Sequence, residues 1–226
     1  MMGLGVWLLE RLSPAMETIA PLMPGEYFDM FFTVEMFQRV LIAGFVIALV
    51  AGVLGSFLLI RNMALIGDGI AHVTFGGVAV ALVVGTAYPL PFAAMFSVLA
   101  AVIIFELQDR GILNGDTAIA IIMTGTLAFG LVLLRLDDNI GGITPVVEAF
   151  LFGNLLFIDD QSLDFICTIG LLALLLLSFM YKGLLASAVD PIAARVQGIP
   201  VKAIGLTFSI LTALVVVSMV KILGAL

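Results

Sequence analysis

One histidine, one cysteine and one tryptophan occur in 226 residues, and only 11% of the side chains are charged. With Cys167 and His72 each alone, neither a disulfide framework nor a Cys/His zinc cluster can form within one chain. No lysine follows a glycine, so the Gly-Lys-Ser/Thr core of a phosphate-binding loop is missing. If nucleotide drives this protein, another subunit hydrolyses it. Nine basic against sixteen acidic residues give a net charge of -7 and leave no basic stripe, which excludes nucleic acid as a partner. The first residues lack a basic start, and Glu10 and Arg11 interrupt a short apolar patch that begins at Trp7, so they do not read as a secretory signal. Residues 1–36 instead read as an amphipathic, extracytoplasmic lead-in.

What is abundant is hydrocarbon. With 63% hydrophobic residues and a mean hydropathy of +1.29, the chain departs from a globular average of about 25% charged residues. It reads as an integral membrane protein. Six apolar runs, Val40–Ile60, Met63–Val84, Pro89–Phe105, Ala118–Leu134, Leu163–Tyr181 and Ala203–Leu226, approach the roughly 20 residues that cross a bilayer. They lack the alternation of barrel strands, so the backbone must satisfy itself as helix. The expected fold is an all-α polytopic bundle of about six transmembrane helices, one domain over residues 37–226. Rows of small residues, Gly44, Ala48, Gly52 and Ser56 in the first run and Ala93, Ser97 and Ala101 in the third, read as packing ridges. Arg61, Arg110, Lys182, Arg195 and Lys202 fall in alternate loops, which puts those loops in the cytoplasm and the amino terminus outside. Lys221 is expected to snorkel to the outer interface.

Asp68 and His72 break the apolar pattern of the second run. A carboxylate there costs roughly 2.5–3.5 kcal/mol even on lenient insertion scales, so such residues usually face a bundle interior or an aqueous path. The i,i+4 spacing brings both onto one helix face. Carboxylate oxygen with imidazole nitrogen suits zinc, manganese or iron. The competing structural reading has Asp68 capping a helix that begins at Gly69, with His72 hydrogen-bonded to its carboxylate.

Two loops carry further signal. The long connection after the fourth run holds Asp137-Asp138, Gly141-Gly142, Pro145 and the short run Phe150–Phe157, followed by Asp159-Asp160. A run that short is re-entrant or interfacial, and it reads either as an outer platform for a partner protein or as a solvated loop. Between the fifth and sixth runs, Asp190 suits an N-cap, Pro191 a first helical position and Gly198 a C-terminal stop, which spells one short helix.

Together these residues resemble the permease subunit of ATP-binding-cassette importers for zinc, manganese and iron. The likeness rests on three stretches: Gly55 to His72, with its Gly-Asp-Gly-Ile-Ala-His ending; Leu151-Phe-Gly-Asn-Leu-Leu156; and Asp190 to Ile199, followed by Lys221-Ile-Leu-Gly-Ala-Leu226. The resemblance implies a multi-pass plasma-membrane permease, homodimeric, working with two cytoplasmic ATPase subunits and an extracytoplasmic metal-binding protein. It implies no permanent cofactor and no catalysis by the chain itself; the cation is cargo. By that likeness Asp68 and His72 line the cation path. Asp190, Pro191, Ala193 and Gly198 belong to the helix that docks on the ATPase, and Gly153 and Asn154 to the outer loop. The family continues past Gly-Ala-Leu, so the chain reads as incomplete at its carboxyl end. Rival readings are a related permease for cobalamin or iron chelates, and, in another class, an intramembrane enzyme or a structural scaffold.

Overall fold

The structure, a computed structural model, describes residues 3–22, 24, 28–86, 88–136, 145–153 and 158–225, with the backbone alone at 145, 146, 149 and 221. Asn154, the acidic Asp137 and Asp138, Gly141 and Gly142, the end of the 150–157 run and the side chain of Lys221 lie outside the described residues.

Among the described residues the helices are α1 (Leu4–Ile19), α2 (Met30–Thr33), α3 (Glu35–Ile60), α4 (Ile66–Val83), α5 (Pro89–Asp109), α6 (Gly115–Leu136), α7 (Pro145–Phe152), α8 (Asp160–Val189), α9 (Pro191–Val196) and α10 (Val201–Leu223). Six of them, α3, α4, α5, α6, α8 and α10, are long and apolar enough to cross a membrane. Several overrun their apolar limits: α5 continues through Glu106 and Asp109, and α8 through Lys182 to Val189. Polar residues at the mouth of a span stay solvated while backbone bonding continues. The helix stops where the backbone leaves it, at Gly111 with φ +67° after α5 and at the extended Asp190 after α8.

Successive crossings put α9 and the start of α4 at one end of the bundle, and the starts of α3, α5 and α8 at the other. The central span is α4, enclosed by α5, α6 and α10. Its glycines permit that enclosure. A Cβ on Gly77 would lie 2.8 Å from the Ala93 Cα and the Phe92 carbonyl oxygen of α5, and one on Gly76 would lie 3.0 Å from the Thr126 carbonyl oxygen of α6. Close backbone approach through small residues is how helices associate without a hydrophobic driving force. At this contact Thr74 and Ser97, both fully buried, share a hydrogen bond of 2.8 Å.

The third-run row fulfils its expected role: Ala93, Ser97 and Ala101 are all buried. The first-run row does not. Gly44, Ala48, Gly52 and Ser56 are exposed, and nothing lies within 4 Å of a Cβ built on Gly44 or Gly52. The α3 ridge therefore faces away from the chain's own helices, because its opposite face, Ile42, Ile47, Val50 and Leu54, carries the larger buried side chains.

The described part of the short apolar segment belongs to a short helix, as a half-helix reading expects. Its helix starts at Pro145, at the first helical position that proline favours, and ends at Phe152. It lies against α4 and α10 with Val147, Phe150 and Leu151 buried, so these residues are not a solvated loop. Gly153 has φ +73°, and a Cβ there would lie 2.3 Å from the Ile222 carbonyl oxygen. Glycine is required by both the turn and the contact with α10.

Candidate functional site

The sequence pair occupies the first two turns of α4. The helix begins at Ile66, after Leu65, which makes no side-chain cap. Asp68 is therefore an acidic first-turn residue, favourably placed in the field of the helix N-terminus, but not the cap of a helix starting at Gly69. The other half of the structural reading also fails, since His72 Nε2 lies 3.6 Å from Asp68 Oδ1, beyond hydrogen-bond range. The Asp68 side chain is 63% exposed and that of His72 only 13%. Among the described residues none gives the buried His72 Nδ1 a hydrogen-bond partner. An imidazole held this way beside an open carboxylate offers one nitrogen and one oxygen donor to an ion. Among the described residues no group of three or more His, Cys, Asp or Glu side chains forms a metal cluster. One chain therefore presents two donors here, fewer than the four of a closed structural zinc site.

At the same end of the bundle, α9 is built as its residues suggest. Asp190 Oδ1 accepts from the amides of Ile192 and Ala193, each at 2.9 Å, Pro191 takes the first helical position, and Gly198 turns the chain at φ +79°. The exposed face is one that sequence reading missed: Ile192 and Val196, 76% and 85% exposed, stand one turn apart. An i,i+4 apolar pair inside a polar loop was the available signal.

A second missed feature ties α9 to the bundle. Arg195 Nη2 lies 3.8 Å from Asp109 Oδ1 at the end of α5, and Lys202 Nζ lies 3.5 Å from Asp109 Oδ2 and 3.0 Å from Glu106 Oε2. Arg110 completes the cluster on Glu106 at 2.7 Å. These pairs account for acidic residues in a loop set that is otherwise basic. Behind them a cavity of about 340 Å³ is lined by Arg61, Gln108, Asp109, Ser187, Pro191 and Arg195 among others. Arg61 sits in the turn before α4, where its Nη2 donates to Ser187 Oγ at 3.2 Å and its guanidinium lies 5.3 Å from the Phe208 ring centre. Burial lowers its pKa from the ordinary arginine value.

Comparison with known proteins gives the arrangement its context. The family model described as ABC 3 transport family matches residues 33–226. The chain is 32% identical over 198 residues to the manganese transport system membrane protein MntC of Halalkalibacterium halodurans, covering 88% of this chain and 66% of that protein. It is 33% identical over 187 residues to the manganese import system permease protein ScaB of Streptococcus gordonii, covering 83% and 66%. Just under two thirds of either relative is thus spanned. Among solved structures, PsaBC from Streptococcus pneumoniae in complex with Fab matches with a TM-score of 0.71 and 31% identity, over 88% of this chain and 70% of that one. The family match runs through every span from α3 to α10, and on that ground the chain belongs to the ABC 3 transport family.

Proposed function

We propose that the chain is the membrane-spanning permease of an ATP-binding-cassette importer and carries a divalent metal cation into the cytoplasm. The observation that carries this reading is the α4 pair: a shielded imidazole whose Nε2 lies 3.6 Å from an open carboxylate, in the most enclosed span. Two donors per chain suit a cargo that must be released, because a full ligand set would retain it. A second copy of the chain supplies the remaining donors if the pairs face one another across a shared path. Among cations that take oxygen and imidazole ligands, manganese has the added support of the relatives' names.

The cytoplasmic partner is a separate ATPase, and α9 is the element that engages it. Ile192 and Val196 fit an apolar groove, while Asp109 and Arg195 carry displacement of α9 to α5 as a rigid-body motion. Because α5 lies against α4 through Gly77 and the Thr74–Ser97 bond, motion at α9 reaches the helix that holds His72. An extracytoplasmic metal-binding protein delivers the ion at the opposite end. In this orientation the amino terminus is outside and the basic loops are inside.

The test uses the assembled importer in proteoliposomes. Asp68→Ala and His72→Ala are expected to reduce metal uptake at least about tenfold while ATP hydrolysis persists, the scale on which changes around a metal site act. Normal uptake by both variants at normal expression removes the pair from the path.

A further inference from the structure

We infer that α1 forms an anchor seated in the bilayer interface, lying across the bundle at headgroup depth with the lipid surface as its occupant. Two observations set the depth. α3 and α8, with 26 and 30 residues, are about 39 and 45 Å long, against a hydrocarbon core of about 30 Å. The excess length leaves room for charged residues at their starts, Glu35 and Arg39 on α3 and Asp160 and Asp164 on α8, which place those starts in the interfacial layer. α1 lies against those starts: the Val6 amide donates to Asp164 Oδ1 at 2.8 Å, Ser13 Oγ donates to Gln38 Oε1 at 2.8 Å, and Leu9 is buried in a cluster with Ile42, Ala43, Leu163 and Ile166. Contact with residues one to two turns inside α3 and α8 holds α1 beside the bundle, level with its rim.

The remaining faces of α1 divide as an interface requires. At 100° per residue, Gly5, Leu9 and Met16 face the bundle, Leu8, Leu12 and Ile19 line one flank, and Glu10 and Glu17 line the other. An apolar flank and an acidic flank on a helix already committed to a protein surface leave one sensible orientation, with Leu12 and Ile19 toward the acyl chains and the glutamates toward water. Between the flanks stands Trp7, 49% exposed, with the Arg11 guanidinium 5.8 Å from its ring centre. Tryptophan with an adjacent cation is the residue chemistry of the aromatic belt. Phe28 and Phe31, around the start of α2, are exposed as well. The acidic flank gives the anchor no electrostatic pull toward anionic lipid, so the attachment comes from apolar burial.

Trp7 is the only tryptophan of the chain and reports its own depth. The chain is reconstituted in vesicles of phosphatidylcholine and phosphatidylglycerol, and emission is compared with that of Trp7→Phe as the blank. Lipids brominated near the carbonyls, about 5–10 Å below the headgroups, are expected to remove more than half of the Trp7 emission, while iodide removes little. The result should not change with phosphatidylglycerol content. In parallel, a nitroxide at Leu12→Cys should favour collision with oxygen and one at Glu17→Cys collision with a water-soluble nickel chelate; the native Cys167 is buried. Efficient iodide quenching without bromolipid quenching, or equal collision behaviour at positions 12 and 17, overturns the anchor and leaves α1 a water-exposed surface.

Discussion

The contact that fixes α4 against α5 can be tested by its asymmetry. Thr74 has one hydroxyl proton and two candidate acceptors, the Ile70 carbonyl oxygen at 2.7 Å and Ser97 Oγ at 2.8 Å. With that proton on Ile70, Ser97 is the donor to Thr74. Thr74→Val then strips the Ser97 hydroxyl of its acceptor in a fully buried site, at about 1–3 kcal/mol. Ser97→Ala leaves Thr74 bonded to Ile70 and removes only the interhelical bond, which averages about 0.6 kcal/mol in membrane proteins. The double variant, with both groups apolar, should recover part of the Thr74→Val loss. Reversible unfolding in mixed micelles, followed by helicity, gives all three values. A Ser97→Ala loss equal to or above that of Thr74→Val, or a double variant worse than either single, refutes the hydrogen-bond direction and the dryness of the contact.

Gly77→Val drives a side chain into the Ala93 backbone at 2.8 Å and should sharply lower the folded yield, whereas Gly44→Val, with open space around it, should leave the stability of the isolated chain unchanged; size-exclusion profiles separate the two. Asp190→Ala removes the acceptor of two amides and should destabilise α9 by about 0.5–2 kcal/mol, read as faster hydrogen exchange at Ile192 and Ala193 and as lower ATPase stimulation in the assembly. Asp109→Arg and Arg195→Asp should each weaken the link between ATP hydrolysis and uptake, since each breaks the 3.8 Å pair between α9 and α5. The exchanged pair, Asp109→Arg with Arg195→Asp, should restore coupling only in part, because Lys202 also faces position 109 at 3.5 Å; uptake per ATP hydrolysed measures it.

The sequence by itself determined the elements whose causes are local. Apolar runs near bilayer length became α3, α4, α5, α6, α8 and α10, because in hydrocarbon the backbone has no partner but its own helix. The ends of α9 were equally legible, since an aspartate cap, a first-turn proline and a left-handed glycine act within a few residues. The i,i+4 spacing of Asp68 and His72 was visible for the same reason. Only the tertiary structure decided which faces meet. It turned the Gly44 to Ser56 row outward and the Ala93 to Ala101 row inward, although the two look alike in one dimension. It sank α7 against α4 and α10, brought Asp109 to Arg195 across more than eighty residues of chain, and shielded the His72 side chain beside an open Asp68. Those outcomes depend on contacts between helices remote in sequence, and no periodicity within a single helix encodes its neighbour.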